Sequence, residues 1–425
     1  MSTFFWLPTK YNVKSFNKHA ALDLIRFGSG GMSRSELADK MGLTRAAVSL
    51  IVNDLLESNV VREAEVRSAP NGRPPITLEV NSKAGLVGAI DMGVTHAGIA
   101  IADFTGRILQ DAEFPFDIRN EPARCLKTIN EKLLELMKAQ GISKSEISAV
   151  GVGAPGPVIT EAGTVVSPPI MPGWDGYPIR GELEKFWGCP VTLNNDAELG
   201  ALGEWGYGAG RGEENIAYIK VGSGIGAGLI LNQQIYAGTT GAAGEIGHIT
   251  IDEDGPLCSC GNHGCLEVFA GGYAIASEGQ SLIQSGKRTL LSDLSAERVG
   301  AREVAEAARR GDLYAQEILR QAGAHIGVAL ASLVNLFNPS MIIIGGGVAE
   351  AGDILTTPIR DALRERAMRA SEQSVRIATA MLGRHSVLIG AIVQAINVAI
   401  HIAAEQRKYP VEIRARVEES LETNP

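Results

Sequence analysis

The chain has 425 residues, of which 45% are hydrophobic and 20% charged, a composition that supports a packed core and excludes global disorder. Its 39 basic and 48 acidic side chains give a net charge of −9, which excludes a surface devoted as a whole to nucleic acid. Five cysteines are too few for a disulfide framework, and 50 glycines with only 5% aromatic residues favour an α/β protein with many tight turns.

Residues 1–82 predict a small helical domain that ends in a β-hairpin. Within it, 10 Lys and Arg side chains stand against 8 Asp and Glu, so this part is slightly basic although the whole chain is acidic. Apolar spacing and capping residues predict three helices and then two strands, at 19–28, 33–41, 45–58, 60–66 and 75–80. Two helices joined by a short Gly-containing turn and followed by a hairpin indicate a winged helix-turn-helix.

The second helix of that pair carries most of the residues predicted to contact DNA. Early exposed positions of a recognition helix face base edges in the major groove, and here they are Thr44, Arg45, Ala46 and Ser49. Arg45 would bind guanine or a phosphate, and Arg73, at the tip of the wing, would enter a minor groove. The alternative is an ordinary three-helix packing unit with solvated charges.

From residue 86 the chain repeats one pattern. Three strands separated by turns are predicted first at 86–91, 97–102 and 107–114, and again about 130 residues later at 216–221, 227–231 and 235–237. A third glycine turn, 345–347, follows a strand at 341–344 and precedes a helix beginning near Ala349. Such turns can direct several backbone N–H groups towards one anion.

Three cysteines lie within eight residues, in the order Cys258, Cys260 and Cys265, with glycines between them that let the backbone bend. Thiolates at this spacing can surround one tetrahedral ion, and mixed thiolate and imidazole ligands favour zinc. We expect His248 to be the fourth ligand, with His263 as the local alternative. Four protein ligands would close the site, so we expect its role to be structural.

Polar residues follow the apolar strand at 191–193. Asp196 at a strand end is well placed to accept a proton or a hydrogen bond from a substrate hydroxyl, and Asn195, Glu245 and Glu267 are candidates for other hydroxyls. Asp196 could instead be the N-cap of the helix that follows.

One apolar stretch, 387–404, is long enough to resemble a membrane span, but it contains Gln394, Asn397 and His401. We interpret it as a helix buried on all sides. With no signal peptide visible, we expect a cytoplasmic protein that does not enter a membrane.

These motifs resemble the ROK family of bacterial sugar repressors and sugar kinases. The family's zinc motif, C-x-C-G-x-x-G-C-x-E, is matched from Cys258 to Glu267, its E-x-G-H motif from Glu245 to His248, and N-D-A from Asn195 to Ala197. The resemblance implies that Asn195, Asp196, Glu245, His248 and Glu267 contact the sugar and that His248 also binds zinc. The N-terminal domain is similar to the repressor branch, which includes the xylose and N-acetylglucosamine repressors.

The resemblance also raises the question of catalysis, with Asp196 as the base only if the protein is a kinase. ATP-using members carry a D-x-G-G-T turn, and here Asp91, Gly93 and Thr95 match while Val94 replaces the second glycine. Further phosphate contacts would come from Gly222, Gly224, Gly226, Gly345 and Gly346. We expect a sugar-responsive repressor, with an ATP-dependent, Mg²⁺-dependent sugar kinase bearing a DNA-binding appendage as the alternative.

The implied fold is α/β: a winged helix-turn-helix and a two-lobed actin-like ATPase domain, which is a duplicated ribonuclease H-like unit. We predict the DNA-binding domain at 1–82, the first lobe at 85–205 completed by a helix at 386–405, the second lobe with the zinc site at 206–385, and a charged tail at 406–425. Operator DNA and a sugar effector are the expected partners, and reading two half-sites would require at least a homodimer.

Overall fold

The computed structural model describes residues 13–28, 31–64, 76–168 and 170–405. Among them, residues up to 87, 102–107 and those from 396 onwards form one compact unit, and residues 88–101 and 108–395 form a second. Arg73 and the predicted tail 406–425 lie outside the described residues.

The first unit begins with three helices and a small sheet. Its elements are α1 (Val13–Phe27), β1 (Met32–Ser33), α2 (Arg34–Met41), α3 (Arg45–Glu57), β2 (Val61–Ala64) and β3 (Thr77–Val80). The strands are antiparallel in the order β1-β3-β2, and fully buried Leu22, Leu37, Leu55 and Leu78 form the core. This is the predicted order of helices followed by a hairpin, with β1 as an added strand.

Local side-chain chemistry explains why α2 and α3 begin where they do. The Ser33 hydroxyl accepts a hydrogen bond from the Glu36 amide at 3.3 Å, and the Glu36 carboxylate accepts one from the Ser33 amide at 2.7 Å, which completes the predicted capping box. Gly42 ends α2 with a φ of 64°, a left-handed conformation that favours glycine. Thr44 caps α3 by accepting from the Ala47 amide at 3.2 Å.

The rest of the chain forms two five-stranded sheets and their helices. The first half contains β4 (Leu86–Met92), β5 (His96–Asp103), β6 (Ile108–Pro115), α4 (Pro122–Ala139), β7 (Ile147–Ala154), β8 (Val158–Ile159), β9 (Thr164–Val165), α5 (Ile179–Trp187), β10 (Val191–Asn195) and α6 (Asp196–Tyr207). The second half contains β11 (Ile216–Val221), β12 (Ile225–Leu231), β13 (Gln234–Ile235), α7 (Leu266–Ala270), α8 (Gly272–Gln284), α9 (Ala301–Arg309), α10 (Leu313–Phe337), β14 (Met341–Gly345), α11 (Asp353–Arg366), α12 (Arg369–Ser374), β15 (Arg376–Thr379) and α13 (Ser386–Glu405).

The strand order confirms the predicted duplication. The sheets run β10-β7-β4-β5-β6 and β15-β14-β11-β12-β13, so each places its first three strands side by side and adds two later strands on the same edge. Two details of the prediction were wrong. The third strand of the second copy lies at Gln234–Ile235, and the chain after β14 forms a 3₁₀ turn, Gly347–Ala351, before α11 begins at Asp353.

The apolar segment near the C-terminus is the buried helix predicted from the sequence. It is long and apolar enough to cross a membrane, but 72% of its most apolar window is buried inside the protein, as in the core helix of a globular domain. Its polar side chains Gln394 and Asn397 are also buried.

Glycines bring α13 into backbone contact with its neighbours. A β-carbon at Gly151 of β7 or at Gly203 of α6 would lie 2.0 Å or 2.1 Å from a carbonyl oxygen of α13, and one at Gly390 of α13 would lie 1.9 Å from a carbonyl oxygen of α6. These distances are far below van der Waals contact, so only glycine fits at the three positions.

Within the first unit, the last turns of α13 pack on α1 through polar groups. The ring of His19 stacks on that of His401 with centroids 4.1 Å apart, and Lys18 donates to the Ala404 carbonyl at 3.1 Å. Only 1% of the His19 surface is exposed, and burial is the main reason that its pKa falls to about 4.

Candidate functional site

The second unit contains a cavity of about 1150 Å³ at the ends of the central strands of both sheets. Several segments of both halves contribute to its lining: β4, β10, β11, the start of α6, the 3₁₀ turn at 246–248, α7 and the glycine turns. The predicted sugar and phosphate residues that line it are Asp91, Gly93, Thr95, Asn195, Asp196, Gly222, Gly224, Gly226, Glu245, His248, Glu267 and Gly346. Gly345 does not line this cavity. Its backbone packs against Tyr218, where a β-carbon would lie 2.3 Å from the phenol oxygen.

The start of α6 decides what Asp196 can do. Asn195 is the N-cap, because its Oδ1 accepts from the amides of Ala197 at 2.8 Å and Glu198 at 3.2 Å. The alternative in which Asp196 caps this helix was therefore wrong. The Asn195 side chain also donates to the Gly156 carbonyl at 3.0 Å. Asp196 is left free to turn its carboxylate towards another partner.

That partner is Lys220, a residue that sequence analysis missed. Its Nζ lies 2.5 Å from Asp196 Oδ2. Burial alone would lower the pKa of Lys220, but the carboxylates of Asp196 and Asp91 hold that pKa above its ordinary value. Burial raises the pKa of Asp91 to about 6, against the opposing effect of Lys220. The centre of the cavity therefore contains two carboxyl groups and one ammonium.

Glu267 reaches the cavity from α7, directly after the cysteine motif. Its Oε2 accepts from the Ile225 amide at 3.0 Å. Gly224 leaves the room for this contact, since a β-carbon there would lie 2.0 Å from the same carboxylate oxygen. The glycine turn at 222–226 thus holds the Glu267 carboxylate in place.

Glu245 and His248 lie on one 3₁₀ turn, with 3.9 Å between Glu245 Oε2 and His248 Nε2. Burial raises the pKa of Glu245, and the neighbouring carboxylates of Asp196 and Glu267 add to that rise. Glu198, a buried acid absent from the prediction, does not line the cavity, and burial is the main reason that its pKa rises to about 7. Asp196, Glu245 and Glu267 are acidic side chains of the cavity that can accept hydrogen bonds from hydroxyl groups.

The four predicted metal ligands come together. The ligand atoms of His248, Cys258, Cys260 and Cys265 all lie within 4.8 Å of one another, with His248 Nδ1 3.6 Å from the first thiol and the other two thiols 3.7 Å apart. For metal–sulfur bonds of about 2.3 Å, the edge of a tetrahedron is about 3.8 Å, so the cluster fits one tetrahedral ion. The alternative ligand His263 faces the Gly255 carbonyl at 3.2 Å instead.

The first glycine turn is tight. A β-carbon at Gly93 would lie 2.4 Å from the His96 carbonyl oxygen, so glycine is needed there for the turn itself. Val94, the departure from the family motif, is 9% exposed and borders the cavity, and its carbonyl accepts from the Ile118 amide at 3.2 Å. At Gly346, φ is +85° and a β-carbon would lie 2.3 Å from the Val221 carbonyl oxygen.

The predicted DNA-contacting positions of α3 lie on its outer side. Thr44, Arg45 and Ala46 are exposed and Ser49 is partly exposed, whereas Val48, Ile51, Val52 and Leu55 of the same helix are buried. Leu50, which sequence analysis did not select, is 69% exposed beside them. A large exposed apolar side chain next to an exposed arginine is a suitable surface for base edges and thymine methyl groups.

Two sheets with the same strand order and a cavity at their strand ends define the two-lobed actin-like architecture. The chain belongs to the ROK family, whose model matches residues 87–398. It is 29% identical to the xylose repressor of Caldicellulosiruptor bescii over 386 residues, which cover 91% of this chain and 96% of that protein.

Two solved structures show the same fold. A ROK family transcriptional regulator, described as a homologue of the Escherichia coli Mlc protein, is 29% identical with a TM-score of 0.76, covering 92% of this chain and 98% of that one. A ROK glucokinase from Streptomyces griseus, in complex with glucose and AMPPNP, is 32% identical with a TM-score of 0.67. That similarity covers 73% of this chain and 99% of the kinase.

Proposed function

We propose that the protein is a sugar-responsive transcriptional repressor. The observation that carries this proposal is the extent of similarity: the regulators match 91% or 92% of the chain, whereas the glucokinase is matched almost completely by 73% of it. The family model begins at residue 87, after the helices and hairpin of the first unit. The chain thus has a full sugar-kinase-like body and an additional N-terminal domain of DNA-binding type.

In this proposal, the cavity binds one monosaccharide or a derivative. Asp196, Glu245 and Glu267 accept hydrogen bonds from its hydroxyl groups, His248 and Asn195 complete the contact set, and the glycine turns close around them. Sugar controls DNA binding only if it binds two states of the protein with unequal affinity. Two half-sites of an operator require two heads, so the proposed working form is at least a homodimer in the cytoplasm.

We also propose that the cysteine cluster holds one structural zinc ion. Three thiolates and one imidazole would complete its coordination through His248, Cys258, Cys260 and Cys265, so no position would remain open for substrate. Bound zinc would fix the loop whose next residues carry Glu267. Because His248 would bind zinc through Nδ1, its Nε2 stays available to Glu245 and to the sugar.

The DNA-binding part of the proposal is tested with a site selected from a pool of randomised duplexes. Binding to that site is then measured by fluorescence anisotropy with and without each member of a monosaccharide panel. We expect Arg45→Ala to weaken binding by about 1–3 kcal/mol if the side chain contacts a base, and Arg73→Ala is predicted to do the same. A phosphate contact would instead weaken all sequences equally and flatten the salt dependence. Arg119→Ala, an exposed arginine paired with Asp117 in the second unit, is the matched control.

Sugar phosphorylation remains the second candidate function, since the cavity retains Asp196 and the similar glucokinase binds glucose and a nucleotide analogue. ATP turnover with the same panel separates the two. Phosphorylation by the parent protein, lost in Asp196→Asn, would make it an enzyme.

A further inference from the structure

Lys220 brings a permanent positive charge into the cavity. It lies on β11, where residues two apart share a face, so it follows the fully buried Tyr218 on the same side of the sheet. Its side chain passes the second glycine turn, because a β-carbon at Gly222 would lie 3.7 Å from Lys220 Cε. Its Nζ ends 2.5 Å from Asp196 Oδ2, and the paired side chains are only 20% and 13% exposed.

Asp91 is the second carboxyl group whose charge acts on this ammonium. Asp91 lies on β4, the central strand of the first sheet, and Lys220 lies on β11, the central strand of the second. Both residues line the same cavity. Its Oδ1 is buried without a hydrogen-bond partner among the described residues. A buried carboxyl oxygen of this kind requires a nearby cation or a proton.

A site that transfers a phosphoryl group meets this need differently. It holds Mg²⁺ with one or two carboxylates and the phosphates of the nucleotide, so the cation arrives with its ligand. Of the carboxylates that line this cavity, Asp196 and Asp91 are the two whose charges act on Lys220. A lysine ammonium already bound to one of them repels a divalent cation and occupies a lone pair that metal coordination would use.

We propose that Lys220 is a resident cation that takes the place between Asp91 and Asp196 where a phosphoryl-transfer site holds a divalent cation, and that it makes recognition of an unphosphorylated sugar independent of metal and nucleotide. This inference rests on the proposed function as a sensor. A tethered cation never dissociates, so the occupancy of the site depends on the sugar alone. Asp196 keeps its second oxygen to accept a hydrogen bond from a sugar hydroxyl.

The test uses Mn²⁺ as the probe and the electron paramagnetic resonance signal of free Mn²⁺ as the readout, with full-length, zinc-loaded protein. Mn²⁺ binds most weakly of the first-row divalent ions and will not displace zinc from thiolates. We expect no saturable Mn²⁺ site in the parent protein. Lys220→Met should gain one saturable Mn²⁺ site per chain, and adding Asp196→Asn should remove it.

Lys185→Met is the matched control, because it breaks an exposed lysine–carboxylate pair with Glu182 and should leave Mn²⁺ binding unchanged. Lys220→Arg keeps the charge and should behave like the parent. One Mn²⁺ bound by the parent and lost in Asp196→Asn would overturn the proposal, as would a folded Lys220→Met that gains none.

The sugar affinity of the parent protein, measured with and without Mn²⁺, tests the proposal without any variant. Its Kd for the sugar identified in the panel should change by less than about twofold on adding Mn²⁺, and a larger change would overturn the proposal. The Mn²⁺ titrations involve neither DNA nor sugar. Failure of the repressor assignment is therefore distinguishable, since it would appear as absent operator binding or as sugar phosphorylation.

Discussion

Gly224→Ala is a direct test of how the glycine turn serves Glu267. The new β-carbon would lie 2.0 Å from Glu267 Oε2, and that oxygen is the end of a flexible side chain, so the carboxylate will move and the backbone will stay. Its hydrogen bond from the Ile225 amide, 3.0 Å long, will be lost. Glu267 will then leave the position in which we propose that it binds the sugar.

The displaced Glu267 can no longer accept its proposed hydrogen bond from the sugar, and a hydrogen bond to a charged group contributes about 1.5–3 kcal/mol. Because the cavity is open and water can solvate the displaced carboxylate, we expect the lower end of this range. Sugar affinity should therefore fall by about tenfold, since 1.4 kcal/mol corresponds to that factor. Titration calorimetry with the panel sugar measures the effect, and metal analysis should still find one zinc per chain, because no metal ligand is altered.

Gly347→Ala is the matched control within the same cavity. A β-carbon at Gly347 meets nothing within 4 Å, so this variant should bind the sugar like the parent. If Gly224→Ala also binds the sugar with unchanged affinity while remaining folded, Glu267 does not need its present position and the argument fails.

Three further outcomes are expected. Cys260→Ser should release the metal, loosen the loop before Glu267 and weaken sugar binding; retention of a full equivalent of zinc by the variant would contradict this. Asp196→Asn should weaken sugar binding and reduce the sugar's effect on operator binding while DNA affinity without sugar stays intact, because a charge-assisted hydrogen bond becomes a neutral one. Stability should fall on acidification, because unfolded His19 binds a proton near its ordinary pKa of 6.5 whereas folded His19 does so only near about 4. Between pH 7 and pH 5 this loss is about 2 kcal/mol, and His19→Gln should remove it from urea denaturation curves; equal pH dependence in the parent and the variant would refute it.

The features predicted best from the sequence are those set by residues close together in the chain. The capping box at Ser33, the stop at Gly42 and the cluster around Cys258 depend on contacts over a few residues, and the structure has them where the sequence placed them. The duplicated strand order followed from apolar runs and glycine turns that recur along the chain.

Features that depend on contacts between distant strands were missed. Lys220 lies in an apolar strand, and no residue near it in sequence indicates a contact with Asp196, which is 24 residues away at the start of α6. The only signal in the sequence was the position of Lys220, a single charged residue two places before the glycine turn that begins at Gly222. The choice between Asn195 and Asp196 as N-cap also depended on a one-residue difference in where α6 begins, which residue type alone does not decide, because both are good caps.

The three glycines around α13 have a mechanical consequence. Where backbones touch directly, no side-chain rotamers lie between α6 and α13 to absorb a shift, so we expect the two helices to move together. Asp196 is the first residue of α6, and α13 is a single helix of 20 residues, about 30 Å long. A tilt of about 5° at one end of such a rod displaces the other end by about 2.6 Å. With α6 held against it by the glycines, α13 acts as a lever arm: the displacement of its far end grows in proportion to the length of the helix.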